Sequence, residues 1–151
     1  MAGLAFDVNI PSKALTSATP TTVGFVTTPT NQRVKLLGYG FYFDGTSNSA
    51  QPVEIKLARP TTGVLTAGGT AIKCDAGVGE TVQSVVGLAA STEPTLTSAL
   101  VCKTITVHPQ LGYEYLAPLG QEEMIAGGTN FVFSANAPAA VNLRGYMKFE
   151  E

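Results

Sequence analysis

The sequence predicts an all-β protein, a single-domain antiparallel β-sandwich of jelly-roll-like type. Many short segments alternate apolar residues with polar or small ones, which is the two-residue period of a half-buried strand. Turn sequences that contain glycine or proline separate these segments at intervals of roughly 8–12 residues, as in sandwiches and barrels. No segment has the period of an amphipathic helix. With about eight to ten strands and several loops longer than a tight hairpin, a jelly-roll-like sandwich fits best.

The first strand is predicted in the sequence LAFDVNI, residues 4–10. Pro11 is expected to end it, because proline has no N–H group for the ladder. Two roles are open for residues 1–12. They form an arm that adds a strand to a neighbouring subunit, or they form the first strand of the chain's own sandwich, paired with the C-terminal strand. The candidate intersubunit contacts of such an arm are Leu4, Phe6, Val8 and Ile10. Residues 13–151 make up the sandwich domain.

The strongest strand signal is RVKLLGYGFYF, residues 33–43, preceded by threonine-rich strands at 13–18 and 21–27. Its apolar phase slips next to Gly38, which predicts a bulge or a bend. Asp44 then begins a turn that continues through GTSNSAQ, and VEIKL (53–57) alternates cleanly as the second strand of this pair.

Further strands are predicted along the rest of the chain, whereas residues 60–69 are expected to form a loop. Sequences such as DAGVGET and STEPT mark the breaks between them. In the last strand, Val141, Leu143, Met147 and Phe149 share one face and Arg144, Tyr146 and Lys148 share the other. The predicted segments are 71–74, 81–90, 96–107, 113–117, 124–126, 129–134 and 140–149.

The low charge content bears on partners. Only 13% of the residues are charged, against about 25% in typical soluble domains. Either a neutral surface rich in threonine and serine keeps the protein soluble, or neighbouring subunits cover much of the surface. Apolar loop sequences such as Gly63-Val64-Leu65 favour the second explanation, and with it a symmetric homo-oligomer.

Charge distribution argues against nucleic acid as a direct partner. The net charge is −2, and the nine Lys and Arg residues are scattered along the chain, whereas phosphate binding needs a basic patch. No apolar run reaches the roughly 18 residues of a membrane span. The N-terminus has neither the basic region nor the apolar region of a signal peptide. We therefore expect synthesis in a reducing cytoplasm and no membrane partner.

The chain has two cysteines, Cys74 and Cys102. A bridge between them would close a loop of about 28 residues and stabilise the fold by about 3–4 kcal/mol. The alternative is two separate thiols buried as small apolar side chains. The absence of a secretion signal favours separate thiols.

Titratable side chains are concentrated in VHPQLGYEYLAPLGQEE, residues 107–123, which includes the one histidine. His108 is predicted to lie in a five-residue connection, residues 108–112. Tyr113 and Tyr115 then share one face of the next strand and Glu114 occupies the other, and residues 117–120 form a turn. Glu122 and Glu123 would lie about 17 Å along the strand from the histidine. The pattern therefore predicts no catalytic contact between them.

Other catalytic and metal-binding patterns fail as well. One histidine and two distant cysteines are too few for a zinc site, and no G-x-S-x-G motif occurs. Glu122 and Glu123 are adjacent, so on a strand they point to opposite faces and cannot flank one glycosidic bond. FDGTSNSA has oxygen donors without the spacing of an EF-hand, which leaves calcium a weak option. We expect a protein that is not an enzyme and has no cofactor.

Glycan binding stays open, because it depends on exposed aromatic platforms rather than on these motifs. The chain has no tryptophan, so tyrosines would have to supply the platforms. The five candidates are Tyr39, Tyr42, Tyr113, Tyr115 and Tyr146. About half of them are expected in the core or in an interface.

The segments GFYFDGTSNSAQPVEIKLAR, STEPT, HPQ, GYE, APLGQE and GYMKFEE resemble small virion structural proteins of tailed bacteriophages, the jelly-roll head decoration or cement proteins. The resemblance covers most of the chain after Arg33 and rests on turn and strand patterns, so no functional residue is transferred. It implies a protein made in the host cytoplasm and located on the capsid surface, where a homotrimer binds between major capsid subunits. The alternative is a tail- or fibre-associated module that binds receptor glycans.

Overall fold

The computed structural model describes residues 3–44 and 51–151. These residues form strands and connecting loops without any helix, which confirms the predicted all-β class. The described strands are β1 (Ala5–Leu15), β2 (Thr21–Thr27), β3 (Val34–Asp44), β4 (Val53–Ala58), β5 (Val64–Ala67), β6 (Ala71–Lys73), β7 (Val85–Thr92), β8 (Val101–Val107), β9 (Tyr113–Leu116), β10 (Glu123–Ile125), β11 (Asn130–Asn136) and β12 (Val141–Glu150).

These strands make two antiparallel sheets packed face to face, so the predicted β-sandwich is confirmed. Sheet 1 has the order β10-β3-β12-β1-β6, and β9 also pairs with β3. Sheet 2 has the order β5-β7-β2-β11-β4-β8. Because β9 and β10 pair with different parts of β3, they follow one another along the same edge of sheet 1.

The main core lies between the sheets and is rich in aromatic side chains. Phe133 contacts Tyr39, Phe41 and Phe131 with ring centroids 5.5–5.7 Å apart. A smaller cluster lies on the outer side of sheet 2, where Leu96 helps to cover Phe25. Burying one such large side chain contributes about 1.5–3 kcal/mol. Sheet 2 is therefore packed on both faces near β2, whereas the outer face of sheet 1 carries the polar residues described below.

The N-terminal segment belongs to the chain's own sandwich. β1 lies between β12 and β6 in sheet 1, and Phe6, Val8 and Ile10 are buried in the core. The N–H group of Leu4 donates to the carbonyl of Glu151 at 2.8 Å. Of the two roles open for residues 1–12, the described part thus adopts the second, pairing with the C-terminal strand.

Pro11 does not end β1, contrary to the prediction. The register between β1 and β12 shifts between Ile10 and Lys13. Proline is tolerated at such a bulge, because no ladder donor is needed there. The bulge predicted near Gly38 is confirmed, since Gly38 pairs with Lys148 whereas Leu36 pairs with Phe149.

Two other expectations about connections are wrong. β3 and β4 lie in different sheets, so they do not form a hairpin pair; the turn predicted at 45–50 lies outside the described residues. The segment expected to be a loop at 60–69 contains β5, which pairs with β7 at the edge of sheet 2. β7 and β8 begin at Val85 and Val101, later than predicted.

Candidate interaction surfaces

His108 lies in the loop that connects β8 to β9, as predicted. β8 ends at Val107 in sheet 2 and β9 begins at Tyr113 in sheet 1. Nδ1 of His108 accepts from the N–H group of Gln110 at 3.3 Å, so the imidazole supports its own turn. In the described part of the chain, no group of three or more His, Cys, Asp and Glu side chains could hold a metal ion. Most of the oxygen-rich FDGTSNSA stretch lies outside that part.

Three of the five tyrosines, Tyr39, Tyr113 and Tyr115, pack in or against the core. Tyr113 and Tyr115 share one face of β9, as predicted. The ring of Tyr39 contacts those of Tyr113 and Tyr115, with centroids 6.1 Å and 5.4 Å away. The ammonium of Lys103 lies 4.1 Å from the ring centroid of Tyr115. Burial, followed by its two tyrosine neighbours, raises the pKa of Tyr39. These rings are therefore no platforms for a ligand at the outer surface.

The other two tyrosines hold Glu114 on the outer face of sheet 1. The hydroxyl of Tyr146 donates to Oε1 of Glu114 at 2.6 Å, and that of Tyr42 donates to Oε2 at 3.1 Å. Gly40 lies between Tyr146 and Glu114 in the register of the sheet. A Cβ there would lie only 2.6 Å from Cε1 of Tyr146, so the glycine lets this ring cross β3.

This arrangement has electrostatic consequences. The hydrogen bonds from Tyr146 and Tyr42 lower the pKa of Glu114. Burial first, and then the bond to Glu114, raises the pKa of Tyr146 to about 12. At neutral pH the phenol is therefore a donor and the carboxylate an acceptor, which fixes both tyrosine rings at the surface.

An open groove of about 690 Å³ lies beside these tyrosines. Its volume is within the roughly 300–1,000 Å³ of small-molecule sites. β1 and β12 contribute polar side chains to it, and the Gly68–Thr70 segment between β5 and β6 also lines it. The polar and aromatic lining residues used below are Asp7, Asn9, Tyr42, Thr70, Arg144 and Tyr146.

The charged groups of the groove are only partly satisfied by the protein. Nε of Arg144 donates to Oδ2 of Asp44 at 2.7 Å. Within the part of the chain that the structure describes, Oδ1 of Asp7, which lines the groove, and Oδ1 of Asp44, beside it, are buried without a hydrogen-bond partner. The Cys74 thiol forms a hydrogen bond with the Asp7 carboxylate. Buried carboxylate oxygens normally have donors, so Oδ1 of Asp7 has acceptor capacity that the described residues leave unused.

A second surface, here called the apolar edge, consists of Leu111, Leu116, Leu119 and Met124. Their side chains are 84%, 63%, 97% and 43% exposed. They lie on β9, on β10 and in the loops next to these strands, along one side of sheet 1. Among the described strands, β9 and β10 pair only with β3. The apolar edge therefore combines exposed apolar side chains with unpaired strand backbone, a combination typical of interaction sites.

The four residues predicted as intersubunit contacts lie elsewhere. Phe6, Val8 and Ile10 are core side chains and Leu4 is half-buried. Contact with another subunit would require β1 to leave its sheet, so the structure offers no arm. The prediction was wrong because alternating apolar residues can pack on the inner face of the chain's own sheet as well as on a neighbouring subunit.

The cysteines are separate thiols, as favoured, but they are exposed rather than buried. Cys74 follows β6 of sheet 1 and Cys102 lies in β8 of sheet 2. Partial desolvation is the first cause that raises the pKa of each thiol. Neither cysteine therefore has the low pKa of a reactive thiol.

Neither surface was identified from the sequence, although the outward positions of Tyr146, Arg144 and Glu114 were predicted. The groove depends on the register that brings β1, β3 and β12 together, and the apolar edge depends on β9 and β10 sharing one partner strand. The one local signal was the pair of glycines at 38 and 40. Because they have no side chains, Leu116 and Tyr146 from the neighbouring strands can lie over β3 at these positions.

Comparison with family models, curated proteins and solved structures gave no match. Within the described residues, no helix is long and apolar enough to cross a membrane. The two surfaces are therefore the observations from which function has to be argued.

Proposed function

We propose that the protein is a non-enzymatic virion structural protein, a capsid decoration or cement protein that binds between major capsid subunits of a bacteriophage head. The observation that carries the proposal is the apolar edge, where four large exposed side chains lie on and beside two strands, β9 and β10, that pair with β3 on one side only. Its support in the sequence is the resemblance to head decoration proteins and the low charge content of 13%. In this function the apolar edge is covered by a neighbouring protein.

The expected free energies suit a protein that stabilises the shell through many weak binding sites. Burying a fully exposed leucine side chain contributes about 1.5–3 kcal/mol, and association entropy offsets part of the total. A protein that binds only the assembled shell stabilises it by about 2.7 kcal/mol per site when its concentration is a hundredfold above Kd. Repetition over the shell multiplies this stabilisation.

A jelly-roll topology is part of the proposal. The strand orders β1-β12-β3-β9 and β2-β11-β4-β8 support it, because they place eight strands in two four-stranded halves. Chain connections alternate between the halves from β1 to β4, from β8 to β9 and from β10 to β12, as in a double Greek key, while β9 and β10 follow one another along the same edge of one half. On this assignment, β5, β6 and β7 are additions to the jelly roll. Both capsid and lectin domains use this fold, so topology alone does not choose a function.

We propose a homotrimer, located on the capsid surface after synthesis in the host cytoplasm. A heterologous contact closes into a ring when its rotation fits a cyclic symmetry. Such a contact would set the apolar edge of one subunit against a different surface of the next. A trimer would then match a threefold position of the shell.

Co-sedimentation with empty shells assembled from the major capsid protein of the same virus tests the function. We expect saturable binding by the wild-type protein, and binding weakened by at least about tenfold in Leu116→Glu and Leu119→Glu, because a buried unpaired charge is unfavourable. Val64→Glu is the matched control, since Val64 is 58% exposed on β5, in the other sheet. No binding by the wild-type protein, or equal binding by all variants, would contradict the proposal.

The alternative is a tail- or fibre-associated module that binds receptor glycans. The groove on sheet 1 is the specific observation that favours it. Because a surface protein of a capsid can also carry a ligand site, the groove is argued separately from the capsid function.

A further inference from the structure

We infer that the groove on the outer face of sheet 1 is a binding site for a neutral saccharide. It joins two fixed tyrosines to carboxylate, amide and guanidinium groups in one open depression. The inference does not depend on the capsid proposal, because none of the four residues of the apolar edge lines the groove.

The polar lining suits a ligand rich in hydroxyl groups. A hydroxyl both donates and accepts, whereas a carboxylate only accepts and a guanidinium only donates. The groove offers both kinds of partner, with Asp7 as acceptor, Arg144 as donor and the amide of Asn9 as either. Among the described residues, Oδ1 of Asp7 has no hydrogen-bond partner, and this oxygen is buried. A rotation of the carboxylate would bring it to the groove surface and to a ligand hydroxyl.

The aromatic lining is fixed before a ligand arrives. Glu114 accepts hydrogen bonds from both Tyr42 and Tyr146, so these rings keep their positions on the outer face. Immobilising a side chain on binding costs about 0.5–1.5 kcal/mol, and preorganisation avoids that cost. Aromatic side chains with a few polar groups are the usual lining of ligand sites. The apolar C–H face of a sugar can pack on one of these tyrosine rings, while the hydroxyl groups of the sugar reach Asp7 and Asn9.

One wall of the groove consists of two glycines and a threonine. The segment between β5 and β6 lines it with Gly68, Gly69 and Thr70. No atom lies within 4 Å of the position of a Cβ on Gly68. The hydroxyl of Thr70 adds another polar group at this wall. A chain of sugars could therefore continue past the wall.

The charges favour a neutral saccharide over an acidic one. Arg144 is already paired with Asp44 at 2.7 Å, and Asp7 and Glu114 add negative charge to the same face. Lys148, which pairs with Asp7 in the register, is a cation on this face. Lys35 on the same face is already paired with Glu150 at 3.4 Å. An anionic sugar would meet more carboxylates than free cations, and like charges in contact are unfavourable.

Titration followed by NMR tests the inference, with the methyl glycosides of glucose, galactose, mannose and N-acetylglucosamine as neutral probes. Glucuronic acid and N-acetylneuraminic acid serve as acidic probes. We expect saturable shifts with at least one neutral probe, largest at the groove residues. Asp7→Asn and Tyr42→Ala should each weaken binding by at least about tenfold, the loss expected for a hydrogen bond to a charged group or an aromatic contact.

Leu116→Ala is the matched control, because it removes an exposed side chain from the same face outside the groove. It should bind the sugar as the wild-type protein does, and a preserved spectrum establishes that each variant is folded. Absence of saturable binding by every neutral probe, binding of the acidic probes alone, or wild-type affinity in both groove variants would overturn the inference. None of these outcomes depends on shell binding, so the two proposals fail separately.

Discussion

Single glycines set how closely the strands of sheet 1 approach. Gly145 on β12 pairs with Phe41 on β3, and a Cβ on Gly145 would overlap the carbonyl oxygen of Gly40. That oxygen belongs to the backbone, so it cannot move away as the end of a flexible side chain can. The absence of a side chain at 145 is therefore a packing requirement of the β3–β12 pair.

Gly145→Ala should destabilise the fold by about 1–3 kcal/mol, the usual effect of overpacking a well-packed site. Urea unfolding measures the difference in the free energy of unfolding. Gly79→Ala is the matched control, because no atom lies within 4 Å of a Cβ at Gly79. Equal stabilities for both variants would show that β3 and β12 have room to separate.

Tyr146 should make stability fall at alkaline pH. Its pKa is raised from 10.0 in the unfolded chain to about 12 in the fold, by burial first and then by Glu114. The stabilisation is therefore complete below pH 10 and is lost as the pH rises towards 12. Urea unfolding of the wild type and Tyr146→Phe between pH 9 and pH 12 should show a smaller loss in the variant. Parallel losses in both proteins would exclude this tyrosine as the cause.

The same pair predicts a shift on the acid side. The pKa of Glu114 is lowered mainly by the hydrogen bond from Tyr146. Because its pKa is lower in the fold than the unfolded value of 4.5, the Glu114 carboxylate stabilises the folded protein above pH 4.5. This stabilisation is lost as the pH falls through the folded pKa. In Tyr146→Phe, an NMR titration should find the pKa of Glu114 higher than in the wild type. An unchanged pKa would mean that Tyr42 holds the carboxylate alone.

At the scale of elements, β1 is the strand on which sheet 1 depends most. It pairs with β12 on one side and with β6 on the other, and it buries Phe6, Val8 and Ile10. The segment that ends at Pro11 is therefore part of the core of sheet 1. Truncating one large buried side chain alone costs about 3–5 kcal/mol.

Deletion of residues 1–11 should abolish cooperative folding, because the loss of three core side chains approaches the whole stability of a domain, about 5–15 kcal/mol. Circular dichroism and dispersion of the NMR spectrum of the truncated chain measure this. Phe6→Ala tests the same strand with a smaller change and should lower the free energy of unfolding by about 3–5 kcal/mol. A truncated protein with a native spectrum would restore the arm interpretation.

The sequence predicted the faces of strands better than their partners. The alternation in β12 placed Leu143 and Met147 inward, and the phase slip located the bulge at Gly38. Face alternation is a local property, so a short pattern reports it. Pairing is not local: β3 and β4 are neighbours in the chain but belong to opposite sheets. The continuation of β1 past Pro11 likewise depends on a bulge that only the partner strand defines.

The candidate site was less predictable than the fold, for the same reason. Asp7 and Tyr146 line one groove because β1 and β12 are paired, and no sequence spacing brings them together. Glu114 was predicted on the strand face opposite Tyr113 and Tyr115, but its two tyrosine donors come from β3 and β12. A site that is assembled from several strands has few short sequence patterns by which it could be recognised.

In the whole molecule, the core between the two sheets holds the sandwich together. We propose that the apolar edge contacts other proteins and that the groove binds a saccharide. In the proposed homotrimer the apolar edge is the contact between subunits, so we propose that self-association through this edge precedes binding to the shell.

Sedimentation equilibrium of the purified protein over a tenfold range of concentration tests that claim most directly. We expect a particle with three times the 15.7 kDa mass of the chain. We also expect that Leu119→Glu shifts this particle towards the single chain, while Val64→Glu does not. A wild-type protein that stays at 15.7 kDa throughout the range would contradict the proposed homotrimer.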